Sequence, residues 1–136
     1  MIFVDTSFWV ALRNRRDTHH TNARELLLSP DLFPLLTTNH VIGETWTFLR
    51  RRTGHDSAVS FLDVIERSER LAVEHVTEQL EHQAMRWLRR HDKREYSFVD
   101  ATSFQVMASS KITTALAFDG DFSAAGFVEL RHPEGS

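Results

Sequence analysis

The first seven residues, MIFVDTS (1–7), indicate how the chain folds. Four apolar residues rich in strand-forming types lead directly into Asp5, Thr6 and Ser7, which are residue types that favour the beginning of a helix. A strand that runs into a helix is the first part of a β-α-β unit, in which a helical crossover joins two parallel strands. We therefore expect a strand at residues 1–4 with an acidic side chain at its carboxyl end.

The same alternation of strand and helix continues along the chain. Further strands are predicted at 33–38, 70–76, 113–118 and 127–130, and helices at 8–14, 18–28, 40–52, 57–69, from Thr77 onward and from Ser97 to about Ser110. Asn39 is predicted to cap the helix at 40–52, and Gly54 to end it. This order predicts a single-domain three-layer α/β/α sandwich with a mostly parallel sheet over residues 1–136, and a frayed tail from about residue 132.

The composition is that of an ordinary globular domain. The chain has 136 residues, of which 41% are hydrophobic and 26% charged, and this length is enough to bury a substantial core. Cys is absent, which excludes disulfides, thiolate metal sites and a cysteine nucleophile. No apolar run approaches the ~18 residues of a membrane span, so we expect a cytoplasmic protein without membrane segments.

The basic residues are concentrated in three groups although the net charge is −3. The groups are Arg13, Arg15 and Arg16; Arg50, Arg51 and Arg52; and Arg86, Arg89, Arg90, Lys93 and Arg94. Basic side chains near helix ends complement the helix dipole, and such clusters also bind the backbone of nucleic acids. The net charge therefore does not exclude a nucleic acid as the partner.

Acidic residues occur where several of the predicted parallel strands end. Asp5 follows the first strand, Glu44 lies in the helix after the second, Asp100 begins the helix before the fourth, and Asp119 follows the fourth. In open parallel sheets, ligands bind beyond the carboxyl ends of the strands. We expect these acids, which are distant in sequence, to meet at one edge of the sheet.

Each acid also has a purely structural interpretation. These are a helix N-cap for Asp5, a solvent-facing position for Glu44, a capping box for Ser97 with Asp100, and a turn around Gly120 for Asp119 and Asp121. The two interpretations are compatible, because the N-terminus of a helix also stabilises a carboxylate. Clustered carboxylates repel one another, and a hard divalent cation such as Mg²⁺ or Mn²⁺ would relieve that repulsion.

Four segments carry these acids: MIFVDTSFWVAL (1–12), HVIGETWTFLRRR (40–52), YSFVDATSFQVM (96–107) and ALAFDGDF (115–122). In this order and spacing they resemble the PIN-domain nucleases, and most closely the VapC-type toxins of bacterial toxin–antitoxin pairs. The resemblance extends over essentially the whole chain. It implies a catalytic quartet of Asp5, Glu44, Asp100 and Asp119, with Thr6 or Ser7 supporting Asp5 by hydrogen bonding.

The resemblance also guides the assignment of individual roles. Our hypothesis is that Asp5 and Asp100 bind the metal ion directly, and that Asp121 is an alternative to Asp119 as the fourth acid. The ion would activate a water for attack on a phosphodiester. Ala117 departs from the family pattern, since many relatives carry Thr or Ser two residues before the fourth acid.

The implied function is a Mg²⁺-dependent, sequence-selective endoribonuclease that acts as a toxin, with a cognate antitoxin and a homodimeric assembly. Candidate RNA-binding residues are Arg13, Arg50, Arg51 and Arg90. The alternative is a catalytically degenerate PIN fold that only binds RNA or a protein. Ala117 favours this alternative, whereas the intact acidic quartet opposes it.

Overall fold

The computed structural model describes residues 1–133, and its five strands form one sheet with the order β3-β2-β1-β4-β5. The strands are β1 (Ile2–Val4), β2 (Leu35–Thr38), β3 (Leu71–Glu74), β4 (Thr114–Leu116) and β5 (Val128–Glu129). Every neighbouring pair is parallel. The predicted parallel sheet is confirmed, and β1 lies at its centre, which explains why that strand is a continuous apolar run.

Seven helices accompany the sheet in the described part of the chain. They are α1 (Thr6–Arg13), α2 (His20–Leu27), α3 (Asn39–Arg52), α4 (His55–Arg67), α5 (Glu78–Arg90), α6 (Phe98–Ser109) and α7 (Asp121–Ala124), with a short 3-10 turn at Pro30–Leu32. Helices α1 and α2, α3 and α4, and α5 and α6 pack against each other in pairs. The α/β/α fold class is confirmed.

Two local predictions differ from the structure. The N-cap of α3 is Thr38 and not Asn39, because the last residue of β2 is itself a threonine whose hydroxyl accepts a hydrogen bond from the Val41 amide at 3.1 Å. Asn39 is the first helical residue, and its side chain instead accepts from the Val76 amide at 2.8 Å. The turn around Gly120 was predicted, but the short helix α7 that begins directly after it was not.

The core forms where β1 meets α1, α4 and α7. Phe3 on β1 stacks against Phe122 on α7, with ring centroids 6.0 Å apart, and both side chains are fully buried. Trp9 on α1 meets the fully buried Phe61 of α4 edge to face at 5.6 Å. These contacts fix α1 and α7, which follow β1 and β4 and carry Ser7 and Asp121.

The end of the described chain is fastened to α2. The Asn22 side chain donates to the His132 carbonyl at 3.0 Å and accepts from the His132 amide at 3.1 Å. The frayed tail expected from about residue 132 falls mainly on residues 134–136, which lie outside the described residues. No helix within residues 1–133 is long and apolar enough to cross a membrane.

Replacing Phe61 by Ala should lower the free energy of unfolding by about 3–5 kcal/mol, because it leaves a cavity beside Trp9. The control is Val64→Ala on the same helix, where the side chain is 37% exposed and the expected change is within about 0.5 kcal/mol. Urea denaturation of both variants measures the two effects. Equal losses would contradict the described burial.

Candidate active site

Asp5 occupies the carboxyl end of the central strand and is only 2% exposed. Its amide donates to the Leu116 carbonyl at 3.0 Å, which joins the ends of β1 and β4. Its carboxylate Oδ2 caps α1 by accepting from the amide of Ser7 at 3.1 Å and from the hydroxyl of Ser7 at 2.7 Å. Asp5 therefore caps a helix and is also a buried acid. The predicted capping role is confirmed, and it is compatible with a role as a metal ligand.

Ser7 connects the two central strands through its hydroxyl. The oxygen donates to Asp5 and accepts from the Phe118 amide at 2.9 Å, just beyond the end of β4. The hydroxyl of Thr6 is buried without a hydrogen-bond partner among the described residues. Of the two residues expected to support Asp5, Ser7 is the one that contacts it.

Asp100 lies in the first turn of α6 and is 7% exposed. The predicted capping box is present: the Ser97 amide donates to Asp100 Oδ2 at 3.0 Å, and the Asp100 amide donates to Ser97 Oγ at 2.9 Å. These bonds fix the carboxylate against the helix N-terminus, where the positive end of the helix dipole stabilises its charge. The capping box thus holds Asp100 in a fixed orientation at the carboxyl edge of the sheet.

Three acids form a cluster at this edge. Asp100, Asp119 and Asp121 each present a carboxylate oxygen, and these oxygens all lie within 4.8 Å of one another. The Asp121 amide also donates to Asp119 Oδ1 at 3.2 Å. Both candidates for the fourth acid, Asp119 and Asp121, therefore belong to the same cluster.

Arg94, in the loop before α6, fastens this cluster from outside. Its Nε donates to Asp121 Oδ1 at 2.6 Å, and its Nη2 donates to the Asp119 carbonyl at 3.0 Å. Gly120, which lies between Asp119 and Asp121 in the sequence, has φ +85°, and a Cβ added to it would lie 3.1 Å from Arg94 Nη2. Gly120 is thus required both for the left-handed backbone and for the close approach of the guanidinium.

Glu129 and Arg131 support the same turn from the other side. The Glu129 carboxylate accepts from the Gly120 amide at 3.3 Å, from the Ser123 amide at 3.0 Å and from Arg131 Nη2 at 2.9 Å. Arg131 Nη1 also donates to the carbonyl of Ala117, whose side chain has no polar group. Sequence reasoning placed Glu129 on a strand but gave no signal that it would reach the Asp119 turn.

Burial raises the pKa of Asp5, Asp100 and Asp119. Removal from water, with the charge of Asp119 added, raises the pKa of Asp5 from 3.8 to about 8, although the hydrogen bonds from Ser7 lower it. Burial likewise raises the pKa of Asp100 and the pKa of Asp119 to about 6, and nearby carboxylates add to both effects. A hard divalent cation would relieve this repulsion, and the carboxylate oxygens are the donors that Mg²⁺ or Mn²⁺ prefers.

Comparisons with known proteins identify the family. The family model of the PIN domain matches residues 2–128. The chain belongs to the PIN-domain family. Two curated relatives, named 23S rRNA-specific endonuclease VapC20 and belonging to Mycobacterium tuberculosis strains CDC 1551 / Oshkosh and ATCC 25618 / H37Rv, are each 60% identical over 131 residues. These alignments cover 96% of this chain and 98% of each relative.

A solved structure gives the same result for this PIN domain. The crystal structure of Mycobacterium tuberculosis VapC20, described as a Sarcin-Ricin loop cleaving toxin, matches with a TM-score of 0.90 and 57% identity. The match covers 97% of this chain and all of that one. The resemblance to VapC-type toxins is therefore confirmed.

Glu44 lies outside the cluster of Asp100, Asp119 and Asp121. It is half-buried on α3 and lines a groove with Thr47, Phe48, Arg51 and Arg52. Phe48, one helical turn after Glu44, also lines a pocket that Asp119 borders. The structure thus brings Asp5, Asp100, Asp119 and Asp121 together and places Glu44 next to the adjoining pocket.

Two of the four predicted RNA-binding arginines line grooves, and the other two are exposed at the ends of helices. Arg13 lines a groove with Arg15, Arg16 and Arg52, and Arg51 lines the groove of Glu44. Arg50 and Arg90 are exposed in the last turns of α3 and α5. Arg15, Arg16 and Arg52 were not among the chosen candidates, although the clustering of basic residues had marked them.

Replacing Ser7 by Ala should raise the pKa of Asp5 further, because a hydrogen bond to the ionised carboxylate is lost. The measurement is an NMR titration of the Asp5 carboxyl carbon in the metal-free protein. Thr6→Val is the matched control: it removes a hydroxyl that has no partner within residues 1–133, so the Asp5 titration should not move. A larger shift in the control than in Ser7→Ala would contradict the described bonding.

The metal-free protein should lose stability as the pH rises from about 4 to about 8. The folded state binds the Asp5 proton more tightly than the unfolded state, whose pKa is near 3.8, so the free energy of unfolding falls over this interval and levels off above it. Asp5→Asn should remove a pH dependence of roughly a few kcal/mol. Urea denaturation of both proteins from pH 4 to pH 9 in EDTA measures the difference, and identical pH profiles would contradict it.

Proposed function

We propose that this chain is a Mg²⁺-dependent endoribonuclease, the toxin of a type II toxin–antitoxin system, and that it cuts 23S rRNA in the sarcin-ricin loop. The 60% identity to 23S rRNA-specific endonuclease VapC20 along almost the entire chain carries the proposal. The acids that cluster at the carboxyl edge of the sheet, of which Asp100 is buried, support it, because phosphodiester hydrolysis by this route needs clustered oxygen ligands.

Asp5 and Asp100 are the proposed direct metal ligands, with Glu44 and Asp119 acting partly through water and Asp121 as the alternative to Asp119. A bound Mg²⁺ or Mn²⁺ would supply Lewis-acid stabilisation of the charge that develops on the phosphate and would lower the pKa of the attacking water. The protein's own contribution is orientation. Ser7 holds Asp5, Ser97 holds Asp100, and Glu129 holds the turn that carries Asp119.

The basic groups would bind the RNA backbone. Arg13, Arg15, Arg16 and Arg52 line one groove, and Arg50, Arg51 and Arg90 add exposed positive charge on α3 and α5. Each phosphate contact releases a counterion, so binding should weaken as the salt concentration rises. The groove at Arg13 and the pocket of Asp119 share two lining residues, which supports a backbone path next to the acids.

The proposal includes a single nuclease domain, a cognate antitoxin, a homodimeric assembly and a cytoplasmic location. These features follow from the likeness to a VapC toxin. The alternative, a degenerate module that binds RNA or a protein without cutting, is favoured by Ala117, which offers no hydroxyl near the acids. The presence of all four acids of the quartet opposes it, and burial, which raises the pKa of Asp5 and of Asp100, favours a bound cation that would stabilise the ionised carboxylates.

Replacing Asp100 by Asn should reduce Mg²⁺-dependent cleavage of a sarcin-ricin loop RNA by roughly 100-fold or more, because a charged oxygen ligand is lost. Cleavage products are resolved by gel electrophoresis, with EDTA and excess Mg²⁺ as additions. Asp31→Asn, which changes an exposed aspartate near the start of β2, is the matched control and should cut normally. RNA binding without cleavage by the wild-type protein would instead favour the degenerate module.

A further inference from the structure

A pocket of about 380 Å³ adjoins the acidic cluster. It is lined by Thr6, Ser7, Val10, Asp17, His19, Phe48, Phe118 and Asp119, and we call it the Phe48 pocket. Asp119 belongs both to this lining and to the cluster of acids, so a group inside the pocket would lie next to the proposed site of cleavage. The volume is near the lower end of the roughly 300–1,000 Å³ range of ligand sites, which suits one small group.

Aromatic rings from three separate segments of the chain line the Phe48 pocket. Phe118 follows β4, and its ring stacks on that of His19, with centroids 4.5 Å apart and planes at 1°. Phe48, on α3, is half-buried, and the Arg52 guanidinium lies 5.0 Å from its ring centroid. Phe118 is 8% exposed and its ring is already stacked against Phe8 and His19. The half-buried Phe48 is therefore the ring on which an unpaired nucleobase would stack.

The charge of the lining selects against a phosphate. Asp17 and Asp119 contribute two carboxylates to the pocket, and none of the described residues that line it is Lys or Arg. A phosphate anion would be repelled by Asp17, and by Asp119 wherever a metal ion does not offset its charge, whereas an uncharged planar group would not be repelled. The occupant that fits the pocket is therefore a base and not the backbone of the RNA.

The backbone has a separate place immediately beside this pocket. The groove of about 790 Å³ that contains Arg13, Arg15, Arg16 and Arg52 shares Phe48 and Asp17 with the Phe48 pocket. Positive groups that neutralise phosphates and an aromatic pocket that takes a base are the two parts of a single-strand binding site. Their shared lining places the two parts side by side.

We propose that the Phe48 pocket receives one unpaired nucleobase next to the bond that is cut, stacked on Phe48, while the backbone continues along the arginine groove. The inference rests on the proposed function, since it requires RNA at the acidic cluster. It adds a site that contributes to the choice of cleavage position, because only an unstacked nucleotide can place its base in the pocket.

The test pairs a protein change with an RNA change. Phe48→Leu keeps an apolar side chain but removes the aromatic ring, and sarcin-ricin loop RNAs are made that lack one base at each position around the cleaved bond. At one position, loss of the base should lower the wild-type kcat/KM by roughly 5- to 100-fold. Phe48→Leu should lower kcat/KM for intact RNA by a similar factor and should be insensitive to loss of that same base.

The control variant is Phe33→Leu. Phe33 is also half-buried, and its ring also lies against an arginine, with Arg70 at 5.6 Å, but it precedes β2 at the opposite end of the strands. This variant should cut intact RNA like the wild type and should keep the full sensitivity to the missing base. Equal effects of Phe33→Leu and Phe48→Leu would overturn the proposal, because a general loss of packing would then explain both.

A binding measurement separates this inference from the proposed function. A fluorescent base analogue at the identified position, or at each loop position in turn if no cleavage occurs, is titrated with Asp100→Asn protein. Quenching that disappears in Asp100→Asn with Phe48→Leu supports the pocket even if the wild type fails to cut. Quenching that persists in the double variant would overturn the pocket while leaving the proposed nuclease activity untouched. The same conclusion would follow if Phe48→Leu and the missing base lowered kcat/KM independently, so that their factors multiplied.

Discussion

The partial removal of neighbouring carboxylates from water is the constraint on which the rest of the structure depends. Asp5, Asp100 and Asp119 lie where the central strands end, and burial raises the pKa of each. Such a cluster opposes folding, so the surrounding structure has to compensate with directed hydrogen bonds and helix N-termini. The buried aromatic contacts that join β1 to α7 and α1 to α4 stabilise the fold and offset the cost of burying these acids.

The compensating bonds are the same bonds that begin the helices. Ser7 caps α1 through Asp5, and Ser97 forms a capping box with Asp100, so local helix chemistry and the geometry of the site cannot be separated. Asp100 lies in sequence among Phe98, Val99 and Phe104, and the helix N-terminus accommodates its carboxylate there. The capping role of Asp100 is therefore compatible with the proposed role in binding a metal ion.

Prediction from the sequence succeeded where the signal was local or topological. The apolar run before Asp5 identified β1, and the rule that parallel strands end at one edge brought Asp5, Asp100 and Asp119 together. It failed where the direction of a side chain decides a local contact, and where a contact joins distant segments. The sequence alone does not show which way a side chain points. It therefore could not show that Thr38, and not Asn39, caps α3, or that Ser7, and not Thr6, contacts Asp5. Arg94, Glu129 and Arg131 were missed as supports because their partners lie on other elements.

The support of the Asp119 turn by Glu129 and Arg131 has a consequence for synthesis of the protein. The site extends from the fifth residue of the chain to the 131st, and a ribosome delivers the chain in that order. While β5 is still inside the exit tunnel, the amides of Gly120 and Ser123 lack the carboxylate that fixes them. A nascent chain therefore carries its acids without the brace that aligns them until the last strand has left the tunnel.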